Sequence, residues 1–156
     1  MTEFEKFQGI ISKLRAPDGC PWDREQTHAS LKKACIEEAV ELIAGIDMYE
    51  KTGNAENMQE ELGDLLLQVV MHATIAEEEG LFTMDDVCRT VSEKMIRRHP
   101  HIFGDAKAET SEEVLKNWDA IKAQEKNGKE PVEQFLSDAF NEAEEMIDIA
   151  RKRKNL

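Results

Sequence analysis

IEEAVELIAGI, residues 36–46, carries Ile36, Val40, Ile43 and Ile46 at helical spacing, positions that should face a core, yet Glu38 and Glu41 sit among them. EELGDLLLQVVMHA, residues 60–73, repeats the pattern, with Glu61 and Asp64 interrupting one of the most apolar segments of the chain. On a wheel at about 100° per residue, Leu31, Cys35, Ile36, Ala39, Leu42, Ile43 and Ile46 fill one broad arc with Glu38 and Glu41 at its border. Residues 62–71 are apolar nearly all round, as expected of a helix covered on most sides, and Glu61 and Asp64 share a sector with Gln68, Met71 and His72. Only the few residues around Gly53 separate the two segments, which predicts an antiparallel helical hairpin with facing acid pairs.

Outward from this hairpin the chain reads as all-α. It is 34% charged and 6% aromatic, with 8 Gly and 4 Pro, which disfavours a barrel or sandwich of many turn-linked strands. Phe4, Phe7, Ile10, Ile11 and Leu14 predict a first helix over 3–15, followed by a loop at APDGCPWD, residues 16–23. Thr27 is the expected cap of a helix over 29–51, and the next helix should run over 55–79 to Gly80. Thr83 caps a fourth helix ending at RRHP, residues 97–100, and HIFGDAKAET is read as a loop. Ser111 is the expected cap of a helix to Lys126, NGKEP at 127–131 a turn, and 131–152 a last amphipathic helix. The expected organisation is one domain over 1–126, then a linker and C-terminal helix over 127–156.

A net charge of −13 argues against nucleic acid or an anionic membrane as partner, since either calls for a basic face. The N-terminal stretch contains acids where a secretory leader has a basic region, and no apolar run is long enough to span a bilayer. Three dispersed cysteines without C-x-x-C spacing fit a reducing compartment, so a cytoplasmic location is expected.

The acid pairs are spaced i, i+3, so each aims two carboxylates at the same region of space. Four carboxylates converging from facing helices repel unless a divalent cation lies between them. An all-oxygen donor set suits Mg²⁺, with Mn²⁺ as a substitute, and Mg²⁺ leaves positions for water and phosphate oxygens. With 33 acids in the chain the same spacing also arises on solvated faces. Glu142, Glu145 and Asp148 are read that way, whereas Glu61 and Asp64 lie in apolar surroundings.

These residues resemble the MazG family of nucleoside triphosphate pyrophosphohydrolases, all-α enzymes marked by Glu-Glu-x-x-Glu and, on the next helix, Glu-x-x-Asp. Here the marks are Glu37, Glu38, Glu41 and Glu61, Asp64, accompanied by GCPWDREQTHASL from Gly19, RRHPHIFGD from Arg97 and WDAIK from Trp118. The resemblance covers about residues 3–126. It implies Mg²⁺-dependent hydrolysis of a nucleoside triphosphate between the α and β phosphates, to monophosphate and pyrophosphate, with broad or non-canonical nucleotide clearance as the expected role. Glu38, Glu41, Glu61 and Asp64 carry over as metal ligands, and Glu37 as an acid at the site's edge. Lys94, Arg97, Arg98 and Lys122 are candidate phosphate contacts, set against the general preference of cations for helix C-termini. Trp22 either walls the base or plugs its loop against the core. His72 is read as a satisfied core histidine, and His28, His99 and His101 as hydrogen-bonding loop or cap residues.

Longer relatives carry two such domains in tandem, and this chain resembles the first. The family also implies a homodimer or homotetramer, which would bury apolar faces left open on a small bundle. Two other readings remain at this level: a catalytically weak module that binds nucleotide or a partner, and a purely structural acidic bundle.

Overall fold

A computed structural model describes residues 1–128 and 131–156; Lys129 and Glu130, in the expected NGKEP turn, lie outside the described residues. The described residues contain helices and no strand. They divide into two compact units, Met1–Met84 with Asp138–Leu156, and Asp85–Ser137.

In the first unit, α1 (Glu3–Arg15) opens on a reciprocal cap. The Thr2 hydroxyl accepts from the Glu5 N–H at 3.1 Å and the Glu5 carboxylate accepts from the Thr2 N–H at 2.6 Å. The helix ends at Ala16, whose extended backbone precedes Pro17. The stretch expected as a loop contains a short helix, α2 (Pro21–Glu25), because Pro21 occupies the first helical position, where a missing N–H costs nothing. Arg15 fastens these pieces. Its guanidinium donates to both oxygens of Glu78, at 2.8 and 2.6 Å, and to the Gln26 carbonyl at 3.2 Å, and its side chain is 6% exposed.

Then come α3 (Lys32–Thr52) and α4 (Glu56–Glu78), joined through Gly53 in the left-handed conformation at φ 73°. Thr27 does not cap α3. It exchanges hydrogen bonds with Ser30 in the preceding turn, and the helix starts at Lys32 behind Leu31. α3 and α4 are antiparallel: Gly45 lies against Met58, Glu38 beside Glu61 and Asp64, and Cys35 beside His72. A Cβ on Gly45 would meet the Met58 Cα at 3.1 Å, so the helices approach closely there. Ile11, Val70, Ala73, Ile75 and Ala76 form the core of this unit.

The core expected along one face of α3 is not closed by this chain. Val40, Ile43 and Ile46 are exposed, and so are Leu62, Leu66 and Val69 of α4, because only part of the hairpin surface is covered by other helices. The apolar positions there make a surface stripe instead.

α5 (Met84–Arg98) leads to a second short helix, α6 (Pro100–Phe103), again started by a proline that the sequence suggested as a stop. α7 (Ser111–Glu125) is capped by Thr110, whose hydroxyl accepts from the Glu113 N–H at 3.3 Å; Ser111, the expected cap, is the first helical residue. α8 runs over Glu133–Lys154, two residues later than expected at each end. No helix among the described residues is long and apolar enough to cross a membrane.

Candidate functional site

The hairpin places carboxylate oxygens of Glu38, Glu61 and Asp64 within 4.8 Å of one another. None of the three is on the fully solvated face. The Asn57 amide donates to Glu61 Oε1 at 3.3 Å, which fixes that side chain one turn from its neighbour. Burial, and then the charges of Asp64, Glu41, Glu61 and Glu37, push the Glu38 carboxyl above its ordinary value. Crowding of carboxylates around Glu38 is what a divalent cation relieves, and hard oxygens of this kind suit Mg²⁺. The three carboxylates are close enough together that they could hold a metal ion.

Glu41 and Glu37 are placed differently. Glu41 accepts from the Lys154 ammonium, and Glu37 from Arg153 at 2.6 Å, both from the end of α8. The other Glu37 oxygen, Oε1, is buried without a protein partner. A cavity of about 510 Å³ lies along this edge, lined by Glu37, Glu41 and Glu61 and by Arg151 and Lys154. Ile36, Val40 and Ile147 give it an apolar side.

The cluster of Glu38, Glu61 and Asp64 is made of carboxylates alone, and His72 turns its ring nitrogens to other partners. His72 Nε2 lies 3.3 Å from the Cys35 sulfur, and its Nδ1 lies 2.7 Å from His28 Nδ1, the two rings stacked. Burial and the neighbouring His28 lower the His72 pKa, which favours the neutral ring expected of a satisfied interior histidine. Burial pushes the Cys35 thiol up, away from thiolate chemistry.

In the other unit, Lys94, Arg97, Arg98 and Lys122 line one cavity of about 530 Å³. Arg97 and Arg98 both donate to Glu125, at 2.7 and 2.6 Å, and hold its carboxyl down to about 2. Arg98 also lies over the Trp118 ring at 5.1 Å, and its side chain is 14% exposed. It therefore clamps α5 to α7. His99 donates to the Met95 carbonyl from Nδ1 at 2.6 Å and meets Trp118 edge-on. Trp22 is 65% exposed, so it does not plug its loop against the core.

A family model for the MazG nucleotide pyrophosphohydrolase domain matches residues 26–103, half of the chain. The chain belongs to this family. The MazG segment contains α3 and α4 complete, and with them all five acids. A relative from Thermotoga maritima, named nucleoside triphosphate pyrophosphohydrolase/pyrophosphatase MazG, is 57% identical over 126 residues, 81% of this chain and 46% of its own length. The nucleoside triphosphate pyrophosphohydrolase of Escherichia coli K12 is 42% identical over 127 residues, 81% of this chain and 47% of its own length. The uncharacterized protein YabN of Bacillus subtilis is 54% identical over 128 residues, 82% of this chain and 25% of its own length. The chain thus spans about half the length, or less, of these relatives.

The MazG match stops well before α8, and the sequence reading assigned no role to Arg151, Arg153 or Lys154. The available signal was RKRK at 151–154, a basic run in a chain of net charge −13.

Proposed function

We propose that this chain hydrolyses nucleoside triphosphates between the α and β phosphates, releasing nucleoside monophosphate and pyrophosphate. The observation that carries this reading is the convergence of Glu38, Glu61 and Asp64 in a chain of the MazG family. These three, joined by Glu41 once Lys154 releases it, would hold Mg²⁺, with Mn²⁺ as a substitute. The bound cation supplies neutralisation of phosphate charge and a water of lowered pKa. Asn57 orients Glu61, and Glu37, with one oxygen unpartnered, is placed to accept a hydrogen bond from a water or ligand at the cavity edge. Lys94 and Lys122 are the proposed phosphate contacts of the second unit, together with Arg97; Arg98 serves first as a structural clamp. The exposure of Trp22 leaves its ring open to a base. A cytoplasmic site of action fits three free thiols and an abundant nucleotide substrate.

A second reading, a nucleotide-binding module with weak turnover, draws on the engagement of Glu37 and Glu41 by α8. Release of pyrophosphate and monophosphate from canonical, deoxy and deaminated triphosphates, with Mg²⁺ and with EDTA, decides between them. Equal amounts of both products, lost in EDTA, are expected. Nucleotide binding with no product would hand the site to the regulatory reading.

We further infer that a second copy of the chain covers the open hairpin face, giving a dimer or tetramer. Ile43 at 59% and Leu62 at 50% exposure support this, since Leu62, Leu66 and Val69 form one stripe on α4. Light scattering should return twice or four times the 17.8 kDa chain mass, and Leu62→Lys should shift it towards the monomer. A wild-type monomer at micromolar concentration would remove the inference.

A further inference from the structure

We propose that the C-terminal end of α8 supplies the cationic lining of a nucleotide cavity, with Arg151 and Lys154 binding triphosphate oxygens beside Glu37, Glu41 and Glu61. This deepens the pyrophosphohydrolase reading and rests on it.

The argument starts from charge. Glu37, Glu38, Glu41, Glu61 and Asp64 are crowded on one side of this unit, and a triphosphate is itself a polyanion. A divalent cation offsets part of that repulsion, and cations in the cavity lining must offset more. Within this unit, the basic groups lining the cavity beside Glu37, Glu41 and Glu61 are Arg151 and Lys154.

Basic residues gather at helix C-termini for a simpler reason, the negative end of the helix dipole. That accounts for the run but not for where its side chains go. Arg153 reaches Glu37 and Lys154 reaches Glu41, across to α3 and more than a hundred residues away in sequence. The Arg153–Glu37 pair is well shielded on its acid side, where Glu37 is 12% exposed, and it anchors the end of α8 beside the cavity.

Of the two proposed phosphate-binding groups, Arg151 is loosely held and Lys154 is bonded to a carboxylate. Arg151 touches Asp148 only at 3.8 Å, and both side chains are two-thirds exposed, so its guanidinium fork is available to a stronger anion. Lys154 sits on Glu41, a carboxylate that a divalent cation would claim. With Glu41 on a cation, the Lys154 ammonium would remain in the same cavity, where its three donors could serve phosphate oxygens. The volume, about 510 Å³, lies within the range of small-ligand pockets, and the apolar side formed by Ile36, Val40 and Ile147 suits a base better than a phosphate.

The test is calorimetric binding of a non-hydrolysable triphosphate analogue and of the matching monophosphate, both with Mg²⁺, to the full chain and to Arg151→Ala/Lys154→Ala. Circular dichroism checks that the variant remains helical. The double variant should bind the triphosphate at least about tenfold more weakly, with a flatter salt dependence, and the monophosphate within about threefold of wild type. Arg151→Lys with Lys154 intact should recover most of the affinity, because the charge is kept. Unchanged triphosphate affinity in the double variant overturns the proposal, and tighter binding overturns it too, by showing that the end of α8 covers the site instead. A wild-type chain that binds the analogue yet releases no pyrophosphate from hydrolysable triphosphates fails the parent reading while leaving the cationic lining intact.

Discussion

Glu61→Gln is expected to lose Mg²⁺-dependent pyrophosphate release by roughly 100-fold or more, with helix content and melting temperature kept or raised. Loss of groups that merely support a metal ligand typically costs about 10- to 100-fold, so removing a proposed ligand should cost at least the upper figure. The fold should tolerate the change because an amide oxygen at position 61 can still accept from Asn57, now at 3.3 Å from the carboxylate. Removing one charge also relieves Glu38, whose carboxyl is raised by burial first and by its acidic neighbours next. The substitution therefore separates charge from shape. A second readout comes from stability: Mg²⁺ should raise the melting temperature of the wild-type chain by mass action, and raise it less in the variant. Wild-type turnover in Glu61→Gln would remove the acid cluster as a metal site, and a collapse of helix content would point to a structural role for this carboxylate.

The hairpin that carries this experiment was legible because its period is strong. Ile36, Val40, Ile43 and the run from Leu62 to Met71 demand helices, and Gly53 marks the turn between them. What periodicity could not say is whether an apolar face meets its own chain or another, and Val40, Ile43 and Leu62 prove exposed in this one. Prolines end the helices they were expected to end, α1 at Arg15 and α5 at Arg98, but the stretches after them are not plain loops. Pro21 and Pro100 each open a short helix inside a stretch expected as loop, since the residue that cannot continue a helix is well suited to starting one. Caps slipped by one to four residues: Thr110 rather than Ser111, and Leu31 rather than Thr27, where several hydroxyls compete for the same N–H groups. Glu38, Glu61 and Asp64 meet as their spacing on paired helices suggested, whereas Glu41 is met by Lys154. That last contact joins residues 113 apart, and no local pattern encodes it. The Arg15 fork onto Glu78 is hidden from sequence for the same reason.

Gly19→Ala is expected to destabilise the chain by about 3 kcal/mol, the upper end of overpacking costs, and to lower the melting temperature by about 6–12 °C. The reason is space and not torsion, for Gly19 has no left-handed backbone. A Cβ there would stand 2.5 Å from the Lys13 carbonyl oxygen and 2.7 Å from the Leu14 carbonyl carbon, both backbone atoms of α1 that no side-chain rotation can move. Relief requires pushing the 16–20 turn away from α1. That would strain the hydrogen bonds from the Gly19 N–H to the Ala16 carbonyl, at 2.7 Å, and from the Cys20 N–H to the Leu14 carbonyl, at 2.8 Å. Displacement would continue into α2, whose following Gln26 carbonyl accepts from Arg15, and so into the fork that ties α1 to α4. Gly9→Ala, within α1 itself, supplies the opposite sign: its Cβ would meet nothing within 4 Å, and replacing a mid-helix glycine gains roughly 0.5–1 kcal/mol. Thermal unfolding followed by circular dichroism reads both. If Gly19→Ala melts within about 2 °C of wild type, the turn yields to a methyl group and the close approach to α1 is not what holds α2 in place.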